Sequence, residues 1–359
     1  MTANAAEGVK QRSPYLDLLR IMAVALVIVN HTNSRVFRAC TPAQATWFVS
    51  VLWYYISKIA VPLFVMVSGA CLLPKVDGYR KVGWRALRVL LTLLVFSYGY
   101  YLFDAWVYYG LWPRAVDFAS FFSLVWTQQM TDSYWYLYFY LGMMIMLPLM
   151  QRMAKSMNKR DLCYLIGLAF GLDALWPLLV HYVPALALPS YFQTPMLTAY
   201  VGLFFAGHMV HQHFKASKKS AWLCALVLVA SVGTSVLLTY AEFNRVAVGE
   251  NYLFMDDRMQ PSILTLLSAV AAMGLCKQLM ERRHSEKASR ALAQLGGCAF
   301  GVYLVQDFVI AQSKTRLFMP LCGIMPSFAA ALVWEAFVLA VALLMAWVLR
   351  KIPGLRKLL

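Results

Sequence analysis

Apolar residues run through this chain in stretches too long for the helices of a soluble domain. A helix that crosses a bilayer needs about 20 mostly apolar residues. By that rule the chain predicts ten spans, at 16–36, 47–73, 87–109, 134–150, 162–180, 196–212, 221–240, 261–280, 292–312 and 327–349. The fourth and sixth are short. One further apolar piece, Phe118 to Trp126, is too short to span and reads as interfacial or re-entrant. The connections leave no room for a soluble domain, and no internal repeat stands out. The expected architecture is therefore an all-α integral membrane bundle of about ten transmembrane helices. It forms one domain over 1–359, with polar tails at 1–13 and 350–359. The first apolar run lacks a small-residue cleavage site, so it is read as a span and not as a removed signal peptide.

Composition sharpens this picture. Of 359 residues, 61% are hydrophobic and only 13% charged, about half the charged share of a soluble domain. Disordered chains are poor in apolar and aromatic residues, so disorder is excluded. The 32 Lys and Arg against 16 Asp and Glu give a net charge of +16. Such a charge suits either nucleic acid or an anionic membrane leaflet, and its distribution decides between them. The cations gather in alternate connections, within 75–88, 152–160, 215–219, 277–290 and 350–357, together with Lys10, Arg12 and Arg20. That side holds 24 of the 32; the opposite side holds Arg35, Arg38, Arg114, Arg245, Arg258, Lys314 and Arg316, and Lys58 lies within a span. Cytoplasmic loops of membrane proteins carry this excess. Both termini are therefore expected in the cytoplasm, in a multi-pass protein of the plasma or inner membrane with no nucleic-acid partner. The seven cysteines form no CxxC pair and suggest neither a disulfide framework nor a zinc site.

Charged groups inside spans are costly and are functional candidates by default. The first span opens Tyr15-Leu16-Asp17-Leu18-Leu19-Arg20 and closes on Asn30-His31. Asp17 and Arg20 are three apart on a helix and can pair. Arg20 and His31 are eleven apart, close to three turns, so they share a face with roughly 16 Å between them along the axis. One reading is an interfacial ion pair plus a histidine at a helix end. The other is a helix face that carries polar chemistry across the membrane. In the second span Pro62 removes a backbone donor and can open the helix, Ser68 and Gly69 permit close helix approach, and Lys58 either snorkels or lines a polar cavity. Arg85 and Arg88, spaced i, i+3 behind Arg80, either bind phosphate groups through forked hydrogen bonds or are ordinary loop charge. Asp173 and Asp307 sit near helix ends, and Glu335, beside Trp334, is the stronger anomaly. His208, His211 and His213 read as solvated interfacial histidines, since no carboxylate or thiol completes a metal set. No phosphate loop, nucleophile elbow or HExxH motif is present.

These residues together resemble the acyltransferase-3 family of integral membrane O-acyltransferases. The resemblance rests on Arg20 and His31 separated by ten residues, on Pro62 through Gly69, and on Arg85-Ala86-Leu87-Arg88. Weaker echoes are Trp135-Tyr136-Leu137 leading to Leu147-Pro148, Tyr200 to Gly207, and Gly301 to Gln306. Two positions depart from the family pattern: Ser133-Tyr134 precede Trp135 where a histidine is frequent, and Gln306 replaces another histidine.

The resemblance implies transfer of an acyl group, acetyl or a larger one such as succinyl, from acyl-coenzyme A to a hydroxyl of a surface glycan or related acceptor. His31 would be the general base or a transient acyl carrier, with Arg20 and Asp17 assisting. Arg85, Arg88, Arg80 and Ser68 would hold the donor. Asn30, Trp135, Tyr303 and Glu335 would face the acceptor. No metal is called for. A transporter or flippase for a small anion or a lipid-linked sugar is the alternative, since it too suits a kinked, multi-span bundle; the missing inverted repeat argues against it.

Overall fold

The computed structural model describes residues 13–32, 36–109, 117–189, 192, 197–246, 262–282 and 286–359. The tail 1–12 and the loop cations Arg35, Arg114, Arg258 and Arg283 lie outside them. Among the described residues there is no β-strand. The principal helices are α1 (Pro14–Thr32), α2 (Ala45–Lys58), α3 (Ala60–Leu72), α4 (Tyr79–Tyr109), the short α5 (Phe118–Thr127), α6 (Trp135–Ser156) and α7 (Lys159–Phe170). They continue with α8 (Trp176–Tyr182), α9 (Ala199–His213), α10 (Lys218–Val246), α11 (Ile263–Arg282), α12 (Glu286–Ser313), α13 (Met319–Cys322), α14 (Ser327–Leu349) and α15 (Pro353–Arg356). Eight segments among them are long and apolar enough to cross a membrane. The fourth and sixth expected spans correspond to α6 and α9, which are not among those eight. The first turns of α6 are rich in Trp and Tyr, and α9 has 15 residues.

Two expected spans are interrupted beside a proline, and the helix of a third is interrupted just beyond its expected end at 312. Pro62 has no N–H to give the Lys58 carbonyl, and the second span divides at Ile59 into α2 and α3. Pro177 withdraws the same bond from Asp173, and the chain passes from α7 to α8 through a π-turn, Gly171–Leu175. Pro320 follows a second π-turn, Lys314–Phe318, which joins α12 to α13. The third expected span begins earlier than its apolar run. α4 starts at Tyr79, so Arg80, Arg85 and Arg88 are helical residues.

Helix α1 lies at the centre, packed against α2, α3, α11, α12 and α14. Its polar residues are therefore inside the bundle. Helices α3 and α9 pack extensively, backbone against backbone. A Cβ on Gly69 would collide with the Phe204 carbonyl, and one on Gly207 with that of Met66. Without a hydrophobic drive between helices in lipid, such backbone contact between small residues supplies the dispersion that holds them together. Both ends of α9 are satisfied by side chains. Lys277, 7% exposed, donates to the carbonyls of Val210, His211 and Phe214 at the end of α9. Asp173 accepts from the Ala199 N–H at its start, 2.6 Å away.

Candidate active site

The last residues of α1 open into a cavity of about 970 Å³. Its floor is Asn30, His31 and Thr32. The break between α2 and α3 contributes Lys58 and Pro62, and the π-turn after α12 contributes Lys314 and Phe318. Both interruptions of regular helix thus face one space, in keeping with the rule that irregular membrane backbone lines cavities. Aromatic rings form the walls. Trp135 packs on Tyr200 with centroids 6.2 Å apart, and Tyr136 meets Tyr303 edge-on at 5.9 Å. Phe318 stacks on Trp334 at 4.7 Å, and the Trp334 indole donates to Ser313 Oγ at 2.7 Å.

A smaller cavity of about 270 Å³ adjoins the first. His31, Asp132 and Ile310 line both, so they mark the junction. Asp104 and Asp307 line the smaller cavity. Asp307 explains how Asp132 reaches the junction. Its carboxylate accepts from the Thr131 hydroxyl, from the Ser133 N–H at 3.2 Å and from Ser133 Oγ at 2.5 Å. The Tyr303 hydroxyl donates to the Ser133 carbonyl at 2.5 Å. Residues 131 and 133 are thereby fixed to α12, and Asp132 between them is exposed at the cavity.

Glu335 is buried just behind the histidine. It accepts from Thr32 Oγ1 at 3.1 Å and from Trp53 Nε1 at 3.3 Å, and so ties α1, α2 and α14 together beside His31. Gln306, in contrast, is fully buried with its amide atoms unbonded among the described residues.

The other polar group lies at the opposite end of α1. Arg20 pairs with Asp17 at 2.7 Å, as the spacing predicts, and Asp17 is 1% exposed. Arg20 also donates to Cys71 Sγ at 3.2 Å. Arg85 pairs with Asp77 at 2.5 Å, beside Lys81 at 2.7 Å, and Gln151 donates to the same carboxylate. Burial works to raise the Asp77 carboxyl, but the hydrogen bonds from Lys81, Arg85 and Gln151 outweigh it and hold the group well below the usual carboxylate range. Arg88 is exposed and donates to the Leu358 carbonyl of the C-terminal segment at 3.2 Å; Arg80 is exposed. Arg85 and Arg88 therefore have separate partners. Ser68 lies close to the hydroxyls of Tyr136 and Tyr140. Tyr140 lies within the fields of Arg20 and Arg85, so a file of polar side chains leads from the arginines to the cavity.

Of the residues singled out in the sequence, His31, Asn30, Trp135 and Tyr303 meet at the cavity, with Glu335 behind them. Asp17, Arg20, Arg85, Arg88 and Arg80 form a second group at the other end. Asp132, Lys314 and Trp334 were missed as site residues. In the sequence Lys314 reads only as a loop charge, and Asp132 stands in a polar connection with no periodicity to single it out. Among the described residues no group of three or more His, Cys, Asp or Glu gathers as a metal set, and His211 is instead hydrogen-bonded to the Tyr15 hydroxyl at 2.5 Å.

A bundle of apolar helices around a polar, histidine-bearing cavity defines a multi-pass membrane protein with an internal site. The chain belongs to the acyltransferase-3 family, whose sequence profile, described as an acyltransferase domain, matches residues 13–351. It is accordingly a membrane acyltransferase. No curated protein and no solved structure matches the chain closely enough to narrow the activity further.

Proposed function

We propose that this acyltransferase moves an acyl group, most simply acetyl, from acyl-coenzyme A to a hydroxyl of a glycan-like acceptor, with His31 as general base. The observation that carries the reading is the placement of His31, half-buried at the junction of the two cavities. Imidazole titrates near neutral pH and suits proton transfer there. The asymmetry of Lys and Arg supports an Arg85 end in the cytoplasm and a His31 end on the far side.

The donor would dock its phosphates near Arg85, Arg88 and Arg80. Its long thiol arm would follow the file Tyr140, Ser68 and Tyr136 towards the cavity. The acceptor would lie among the aromatic walls with one hydroxyl at His31. His31 takes the hydroxyl proton as the oxygen attacks the thioester carbonyl. The tetrahedral adduct then expels the coenzyme A thiolate, which recovers that proton from the imidazolium. The ester is the second product. Arg20 stands too far along α1 to touch the reacting carbon, so its part is at the donor end with Asp17.

General-base loss commonly costs 10²–10⁴-fold in rate. His31→Ala should lose acyl transfer on that scale while the purified protein keeps its thermal stability. Full transfer by that variant would remove His31 from the chemistry. A mass comparison of surface glycans from cells with and without the protein would identify acyl group and acceptor together.

A further inference from the structure

The charges at the two cavities are of opposite sign. Among the described residues, the larger one is lined by Lys58 and Lys314 and by one carboxylate, Asp132; the smaller one adds Asp104 and Asp307. Lys58 belongs to an apolar span and comes to the cavity because Pro62 breaks that span one turn later. Its Nζ lies 4.6 Å over the Tyr54 ring at the border of the space. Lys314 is the first residue of the π-turn that ends α12, and it forms none of the ion pairs found among the described residues. A ligand of the opposite charge is drawn to a lining that carries two ammonium groups.

We propose that the acceptor is an acidic sugar, one bearing a carboxylate or phosphate, and that Lys58 and Lys314 bind its anionic group. This rests on the acyl-transfer reading above and adds the acceptor's chemical class to it. The walls suit a pyranose ring, whose C–H faces lie against Trp135, Tyr200 and Tyr303, while a few polar groups fix its orientation. Charge sets the direction in which it lies. Its anion is drawn to Lys58 and Lys314 and repelled by Asp104 and Asp307, which line only the smaller cavity, since like charges brought together are disfavoured. The sugar is thereby held with its anion away from His31 and a hydroxyl towards it.

The test uses the full-length protein purified in detergent without phospholipid. The probes are methyl glucuronide, glucose 6-phosphate and neutral methyl glucoside. Binding is read from the fluorescence of Trp135 and Trp334, and transfer from acetyl-coenzyme A by release of free coenzyme A. The acidic sugars should bind at least tenfold more tightly than the neutral one, and which of the two binds better separates carboxylate from phosphate. Lys314→Gln should weaken that preference, Lys58→Gln with Lys314→Gln should abolish it, and Lys58→Arg with Lys314→Arg should retain it. Because Lys314 is exposed, its single variant reads out even where Lys58→Gln fails to fold.

Equal binding of acidic and neutral sugars, or a preference that survives both Gln substitutions, overturns the proposal. So does a lysine dependence that appears with succinyl-coenzyme A and not with the acceptor, because the lysines would then serve the acyl group. Lysine-dependent binding of acidic sugars without any transfer would uphold the anion site and sink the acyl-transfer reading. Equal, lysine-independent acylation of acidic and neutral sugars would do the reverse.

Discussion

Thr32 Oγ1 donates to Glu335 Oε1 across 3.1 Å, so the residue directly after His31 is anchored to the last long helix. Trp53 donates to the other carboxylate oxygen at 3.3 Å. The first two helices and the last long one thus meet at one buried carboxylate, and the end of α1 has a fixed position because of it.

Glu335→Gln keeps the shape of that side chain and removes its charge. Hydrogen bonds to charged groups contribute about 1.5–3 kcal/mol, so acyl transfer should fall roughly 10- to 100-fold. The loss should appear in kcat, with the KM for acyl-coenzyme A little changed, because Glu335 lies far from the donor end. Steady-state kinetics on the purified variant measures the split; a KM effect alone would mean that Glu335 does not position His31.

Asp77 gives the protein an acid-sensitive joint. Its carboxyl titrates lower in the folded chain than in the unfolded one. Its contribution to stability is therefore complete above the unfolded carboxylate range and is lost as pH falls through the lower, folded value. Thermal stability should decline below about pH 4. Asp77→Asn should be less stable at neutral pH and show a smaller acid loss, which melting curves across that range would reveal. Identical curves for the two proteins would dismiss the joint.

Gly69 and Gly207 bring α3 and α9 into backbone contact. Gly69→Ala or Gly207→Ala drives a methyl group into a facing carbonyl, and overpacking of this kind costs about 1–3 kcal/mol or more. Both variants should give less monodisperse protein on size-exclusion chromatography. Gly233→Ala, where a Cβ meets nothing within 4 Å, should behave as the parent chain does.

Arg85 and Arg88 differ in what they lose when free of donor. Arg85→Ala strips Asp77 of a partner and should lower stability as well as donor affinity. Arg88→Ala releases only the bond to Leu358 and should lower donor affinity with little change in melting. Together they should weaken coenzyme A binding at least tenfold, most strongly at low salt, where phosphate contacts are least screened. Calorimetric titration of coenzyme A at two salt concentrations checks this, and unchanged binding would return both arginines to a topological role.

Much of this molecule follows from local sequence alone. Long apolar runs dictate helices, because a backbone in lipid must satisfy its own hydrogen bonds. The i, i+3 spacing dictated the Asp17–Arg20 pair. Pro62 marked where the second span can open, and Ser68 and Gly69 marked where a neighbour can approach; that Gly207 is the facing residue came only from the packing. What pairs across the bundle was beyond local reading. Arg85 and Arg88, alike in sequence, face Asp77 and Leu358; Lys277, one basic residue among many, caps α9; Asp132 and Lys314, in polar connections, line the cavity. Helical periodicity fixes the face on which a side chain lies, and only the packing of distant helices fixes what that face meets.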